Sequence, residues 1–127
     1  MLYLLIFVAL LILFVGFFIW TAIAGRRHQR RRHVLRAWVT VTIFVATVLY
    51  AEGLRYLYSF NKDAQTIHLP FAITSGVIFL VLVLLGWKLQ SGNRFRVWHR
   101  AAVITFAVML IPTTITGILL ITTAAPR

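Results

Sequence analysis

Four apolar runs, each long enough to cross a lipid bilayer, occupy nearly the whole of this 127-residue chain. A hydrocarbon core of ~30 Å needs about 20 residues of helix. The runs cover about residues 2–24, 34–58, 67–89 and 97–122. The hydrophobic content of 61% lies above the roughly 45 to 50% of soluble domains. The sequence therefore predicts a single all-α integral membrane domain, residues 1–127, with four transmembrane helices in the lipid bilayer.

The basic residues predict the orientation of these helices. With Arg36 and Arg100 included, the first and third connections hold ten Lys and Arg residues, and the opposite side holds three. Short loops rich in Lys and Arg stay in the cytoplasm, and short links favour antiparallel neighbours. We therefore expect an antiparallel up-down-up-down bundle in a bacterial or archaeal cytoplasmic membrane, with cytoplasmic Arg-rich loops and both termini outside.

Composition also excludes several classes of function. A net charge of +11 would indicate nucleic acid in a soluble protein, but here membrane topology explains it, so no nucleic-acid partner is predicted. The chain has no cysteine and only two acidic residues, Glu52 and Asp63. It offers no nucleophile–base–acid set and no phosphate-binding glycine loop. We expect a protein that is not an enzyme and has no soluble substrate.

Two histidines near the predicted cytoplasmic ends of helices are candidate ligands. Two stripes at helical spacing are predicted to face the bundle. The stripe of His33 along the second helix is mostly small or weakly polar and continues through Ala37, Thr40, Phe44, Thr47 and Ala51. The stripe of His99 along the fourth helix continues through Val103, Phe106, Leu110, Thr113 and Gly117. If both stripes face the bundle at one membrane level, the two imidazoles can ligate one haem iron or one metal ion. The alternative is that a histidine beside arginines binds lipid headgroups or loop carbonyls, and His28, inside the arginine run, is assigned to that class.

A second pair of candidates lies towards the other side of the membrane. Glu52 comes near the end of the second helix and His68 near the start of the third. A carboxylate and an imidazole that lie close together can bind a divalent metal ion. In the alternative, Glu52 pairs with Arg55 at the i, i+3 spacing, and His68 is a simple interfacial residue.

Other residues are predicted to serve packing. Thr66 is the expected N-cap of the third helix, which places Pro70 in the first turn, where the missing N–H costs nothing. Small residues allow membrane helices to approach closely. Gly16, Gly76 and Ser75 are therefore expected to be contact points between helices.

Several of these residues together resemble a known family. His33, the pair Ile67–His68, the pair His99–Arg100 and the later Thr116–Gly117 are similar to the pattern of small four-to-five-helix membrane proteins that includes the CtaM and YozB proteins. The resemblance covers roughly residues 28–121. The family's Tyr-x-x-Tyr-His near the end of the second helix is absent here.

The resemblance carries an expectation about function. Members of that family are implicated in making haem-copper terminal oxidases active, and their histidines are suspected haem or metal ligands. It implies an accessory or assembly subunit of a respiratory membrane complex, a haem-copper oxidase, which holds haem b or copper through His33, His68 or His99. Two alternatives stay open: a b-type cytochrome with bis-His haem, and a purely structural small subunit of a larger membrane complex.

Overall fold

The computed structural model describes residues 2–27 and 29–127, so His28 lies outside the described residues. All four of its long helices are long and apolar enough to cross a membrane. This confirms the predicted all-α class and the four membrane-compatible helices. The helices are α1 (Leu2–Arg26), α2 (Arg30–Leu57), α3 (Lys62–Lys88) and α4 (Arg96–Thr122); the short elements are the strands β1 (Tyr58–Ser59) and β2 (Ala125–Pro126) and a 3-10 turn at Asn93–Phe95.

The chain divides into two compact units. The first contains α1 and α2 and is called here the first hairpin; it also includes β1 and the last two residues, whose Arg127 N–H donates to the Leu57 carbonyl at 3.1 Å. The second contains α3 and α4 and is called the second hairpin. Each hairpin is described by itself.

In the first hairpin, a stripe of α1 packs against α2. Phe14 lies against Phe44, with ring centroids 5.2 Å apart. The hydroxyls of Thr21 and Thr40 lie 2.9 Å apart, and Thr40 donates its proton to the Arg36 carbonyl, so Thr21 is the donor between the two helices. The buried side chains recur every three or four residues, as one face of a helix requires: Phe14, Phe18, Thr21 and Ala24 in α1, and Thr40, Thr47 and Leu54 in α2.

In the second hairpin, Phe106 is fully buried at 0% exposure and lies against Phe79, with centroids 5.1 Å apart. Further along, the hydroxyls of Ser75 and Thr113 lie 2.7 Å apart. Thr113 donates to the Met109 carbonyl at 2.7 Å, so Ser75 donates across the interface. Ser75 is therefore a contact point between helices, as predicted.

Helix α3 begins at Lys62, earlier than predicted, because Asn61 is its N-cap. The Asn61 side chain accepts the N–H groups of Asp63 and Ala64 at 2.9 and 3.1 Å. The prediction that Thr66 caps this helix is wrong: Thr66 lies inside it, and its hydroxyl bonds the Lys62 carbonyl. Pro70 is consequently an interior residue, which membrane helices tolerate.

Within their own hairpins, Gly16 and Gly76 are not the predicted contact points. A Cβ built at either glycine meets no described atom of a neighbouring helix within 4 Å. Gly16 follows the buried Phe14 by two residues, a rotation of about 200° around a helix of 3.6 residues per turn, so it faces away from α2. The glycines that do make close approaches are those opposite the histidines.

Candidate functional site: histidines set against glycines

His33 is half-buried in the first turn of α2, and its ring is directed at α1. Its Nδ1 lies 2.9 Å from the carbonyl oxygen of Thr21. A carbonyl oxygen can only accept, so Nδ1 carries the proton and donates it. In the neutral ring, Nε2 is then the nitrogen with the lone pair. The contact thus fixes the tautomer in which Nε2 can act as a ligand.

Gly25 makes this position of the ring possible. A Cβ at Gly25 would lie 3.1 Å from both Cε1 and Nδ1 of His33. The ring would have to give way by a few tenths of an ångström to accommodate even a methyl group. The absence of a side chain at Gly25 therefore lets the His33 imidazole lie directly on the backbone of α1.

His99 repeats this arrangement in the second hairpin. It lies in the first turn of α4 and is half-buried, and its Nδ1 atom is buried. A Cβ at Gly86, in the last turn of α3, would lie 3.2 Å from Cε1 and 3.6 Å from Nδ1 of His99. Both hairpins therefore place a histidine from the start of their second helix against a glycine near the end of their first.

His68 forms a third contact of this kind, from α3 to α4. A Cβ at Gly117 would lie 3.3 Å from its Cε1 and 3.7 Å from its Nδ1. The Nδ1 also lies 3.0 Å from the hydroxyl of Thr116. Since that hydroxyl donates to the Pro112 carbonyl at 2.8 Å, it accepts from His68, and Nδ1 again carries the proton.

These contacts share one chemistry. Histidines that ligate metals nearly always donate their other ring N–H to a carbonyl, a carboxylate or water, which fixes the tautomer and the ring orientation. His33 and His68 have that partner, in each case through Nδ1. The arrangement leaves the Nε2 position as the one suited to an iron or copper ion.

The structure separates two of the predicted ligands. His68 precedes Gly86 by 18 residues in α3, which corresponds to about 27 Å along the helix, and Gly86 is the glycine that His99 contacts. His68 and His99 therefore lie at opposite ends of the second hairpin and cannot ligate the same ion. The joint ligation by His33 and His99 involves both units and stays a prediction.

Glu52 makes an ion pair with Arg55, with Oε2 and Nη1 3.1 Å apart and both side chains exposed. This confirms the i, i+3 alternative for Glu52. A metal ion shared by Glu52 and His68 stays a prediction. Among residues 2–27 and 29–127, no group of three or more His, Asp or Glu side chains gathers in a way that could hold a metal ion.

The sequence found the histidines but missed two of their glycines. Gly117 lies on the predicted stripe of α4 and in the motif that resembles the family, but the sequence pattern carried no prediction for Gly25 or Gly86. The available signal is positional: each of these two lies in the last turn of one helix, and the next helix has a histidine in its first turn.

No protein-family model, curated protein or solved structure matches this chain. The class of protein is therefore given by the fold alone: it is an all-helical protein with four helices long and apolar enough to cross a membrane.

Proposed function

We propose that this chain is a non-enzymatic accessory or assembly subunit of a respiratory membrane complex that holds haem through histidine. The observation that carries the proposal is the bond from His33 Nδ1–H to the Thr21 carbonyl, made by a ring that lies against Gly25. This bond favours the neutral tautomer in which Nδ1 carries the proton and Nε2 has the lone pair. That is the form in which histidine binds iron.

Haem fits the histidines better than a bare metal ion does. A structural metal site usually needs about four protein ligands, and the described residues contain no group of three or more candidate ligands. Haem iron takes only axial ligands from the protein, and histidine is a common one. When bound, haem would supply redox chemistry or act as cargo for a partner. Either His33 or His68 would hold a haem of its own through Nε2, and the glycines beside them would leave room for the rings.

The role in a respiratory complex rests on the resemblance to the CtaM and YozB proteins. In that proposal the partner is a haem-copper oxidase, and the Arg-rich connections lie in the cytoplasm. The four membrane-compatible helices support residence in the same membrane as such a complex. A cell-based test is direct: deletion of the gene should lower oxidase activity in the native cells. Unchanged activity and unchanged assembly of the oxidase would contradict this role.

The haem proposal is tested by the optical spectrum of the purified full-length protein, before and after titration with haemin. We expect a Soret band and a reduced-minus-oxidised α band. A preparation that is colourless and takes up no haemin would overturn it.

The substitution His33→Asn separates a ligand from a structural residue. The Nδ2 of asparagine lies where histidine has Nδ1 and can still donate to the Thr21 carbonyl, but asparagine has no group at the place of Nε2. A ligand role predicts that His33→Asn loses haem as fully as His33→Ala does. The same comparison applies at His68, whose Asn variant can still donate to Thr116.

A structural subunit is the competing function, and one observation favours it. The Nδ1 bonds of His33 and His68 each lie within one hairpin and already satisfy a polar group that is costly to leave unpaired in lipid. In that case the Asn variants keep the stability of the original protein, the Ala variants lose it, and no variant changes an optical spectrum. The alternative of a b-type cytochrome requires in addition that the bound haem is reduced and reoxidised by respiratory partners.

A further inference from the structure

An open groove runs along the exposed side of α2, apart from the face that contacts α1. Two arginines stand at its beginning, and apolar side chains line the rest. Leu35 and Trp38, which form the apolar part, are 68% and 57% exposed. The groove is lined by Arg30, Arg31, Val34, Leu35 and Trp38.

The arginines of this region have no acidic residue beside them in the sequence. Residues 25–36 contain six arginines and no Asp or Glu. Glu52, the nearest acid along α2, lies about 30 Å further along the helix and pairs with Arg55. The segment at the start of α2 is therefore strongly positive, and such a basic cluster attracts anionic groups.

The start of α2 adds to the attraction for an anion. Gln29 occupies the N-cap position but makes no side-chain capping hydrogen bond, and the first turn contains no acidic residue. The first N–H groups of a helix and its dipole favour a negative group at this end. Arg30 and Arg31 lie in that same turn.

The length of the groove fits a membrane lipid. Trp38 follows Arg30 by eight residues, or about 12 Å along the axis of a helix that can cross the membrane. The groove thus passes from the charged end of the helix into its apolar part. Tryptophan is enriched at membrane–water interfaces, where one part of the ring meets headgroups and another meets acyl chains.

We propose that this groove binds an anionic phospholipid. Its phosphate lies between the guanidinium groups of Arg30 and Arg31, and its glycerol and upper acyl chain lie along Leu35 and Trp38. Charge complementarity selects an anionic lipid over a zwitterionic one, since juxtamembrane arginines interact with anionic headgroups. The site is independent of the proposed haem function, because none of its residues is a proposed haem ligand.

The test is a titration of the purified full-length protein in detergent, followed by native mass spectrometry. The lipids are phosphatidylglycerol and phosphatidylcholine with the same acyl chains. The charge variant is Arg30→Gln with Arg31→Gln; its matched control is Arg26→Gln with Arg27→Gln, which removes the same charge outside the groove. The apolar variant is Trp38→Ala; its control is Trp87→Ala, at another exposed tryptophan.

We expect the original protein to prefer phosphatidylglycerol. The Arg30/Arg31 variant should bind it about tenfold or more weakly, from about 1 kcal/mol per arginine, whereas the Arg26/Arg27 control stays within about twofold. Trp38→Ala should weaken binding several-fold, and Trp87→Ala should not. If the double arginine variant fails to fold, the comparison of Trp38→Ala with Trp87→Ala still tests the proposal.

Two results would overturn the proposal. Equal losses in the two arginine pairs would mean that diffuse charge, and not the groove, attracts the lipid. Inorganic phosphate that competes with phosphatidylglycerol while Trp38→Ala has no effect would mean that the site takes a free anion.

Discussion

The two hairpins share one arrangement and differ in almost everything around it. Each sets a histidine from the first turn of its second helix against a glycine in the last turn of its first helix. Their connections differ: α1 ends at Arg26 and α2 begins at Arg30, whereas a 3-10 turn at Asn93–Phe95 lies between α3 and α4. The shared contact is therefore not a by-product of one loop geometry.

The interior layers of the hairpins differ as well. Moving away from the connection, the first hairpin has a pair of hydroxyls and then a pair of aromatic rings, and the second has the rings before the hydroxyls. In the described part of the chain, a histidine–glycine contact near the far end occurs in the second hairpin. The pairs are Thr21–Thr40 and Phe14–Phe44, then Phe79–Phe106, Ser75–Thr113 and His68–Gly117. The same histidine–glycine contact thus recurs on two different interiors.

The largest expected effect lies in the aromatic layers. Phe106→Ala should lower the free energy of unfolding by about 2 to 3 kcal/mol. This is less than the ~3–5 kcal/mol typical of Phe→Ala in soluble cores, because the Phe side chain of the original protein stays in an apolar lipid environment when the helices separate. Phe14→Ala should cost less, since Phe18 and Phe44 both adjoin it and can move into the space. Unfolding in mixed micelles with SDS, followed by circular dichroism, measures both. A larger loss at Phe14 would reverse this ranking of the two interiors.

The glycines test the shared contact itself. Gly25→Ala and Gly86→Ala should each destabilise the protein by about 1 kcal/mol, a typical cost of overpacking, because the new Cβ would lie 3.1 and 3.2 Å from a histidine ring. The control is Gly16→Ala, where an added Cβ meets no described atom of a neighbouring helix within 4 Å and alanine is the better helix former. The same unfolding assay applies. If Gly25→Ala behaves as Gly16→Ala does, the histidine does not need the glycine.

The two hydroxyl pairs should contribute equally to the free energy of unfolding, although they lie at different positions in their hairpins. Thr21→Val and Ser75→Ala each remove a hydroxyl–hydroxyl bond between helices and leave the partner bonded to a carbonyl of its own helix. Ser75→Ala also removes a longer contact of 3.5 Å to the Met109 carbonyl. We expect about 0.6 kcal/mol for each, the average measured for such bonds in a membrane protein. Double-mutant cycles with Thr40→Val and Thr113→Val isolate the pairwise energies. A difference above about 1 kcal/mol would show that the two layers are not equivalent.

The smallest effect is expected at Glu52. Because both partners of the Glu52–Arg55 pair are exposed, Glu52→Gln should change the free energy of unfolding by less than about 0.5 kcal/mol. The measurement is repeated with added Zn²⁺ or Cu²⁺. Stabilisation by metal in the original protein that both Glu52→Gln and His68→Ala abolish would favour the shared metal site over the simple ion pair.

Much of the architecture follows from the sequence alone. The four spans follow from the lengths of the apolar runs, because a bilayer of fixed thickness requires helices of that length. The inward stripes of α2 and α4 follow from helical spacing: Thr40 and Phe44 do face α1, and Phe106 and Thr113 do face α3. The Glu52–Arg55 pair is equally local, and its spacing of three residues was enough to predict it.

Only the tertiary structure decided which glycine meets which histidine. In water, the face that packs is more apolar than the face that is exposed, so the sequence marks it. In a membrane both faces are apolar, and small differences in van der Waals packing set the rotation and register of each helix. Helix α1 is apolar on all sides, so its hydrophobic pattern does not distinguish Gly16, where an added Cβ meets no described atom within 4 Å, from Gly25, which lies under the ring of His33.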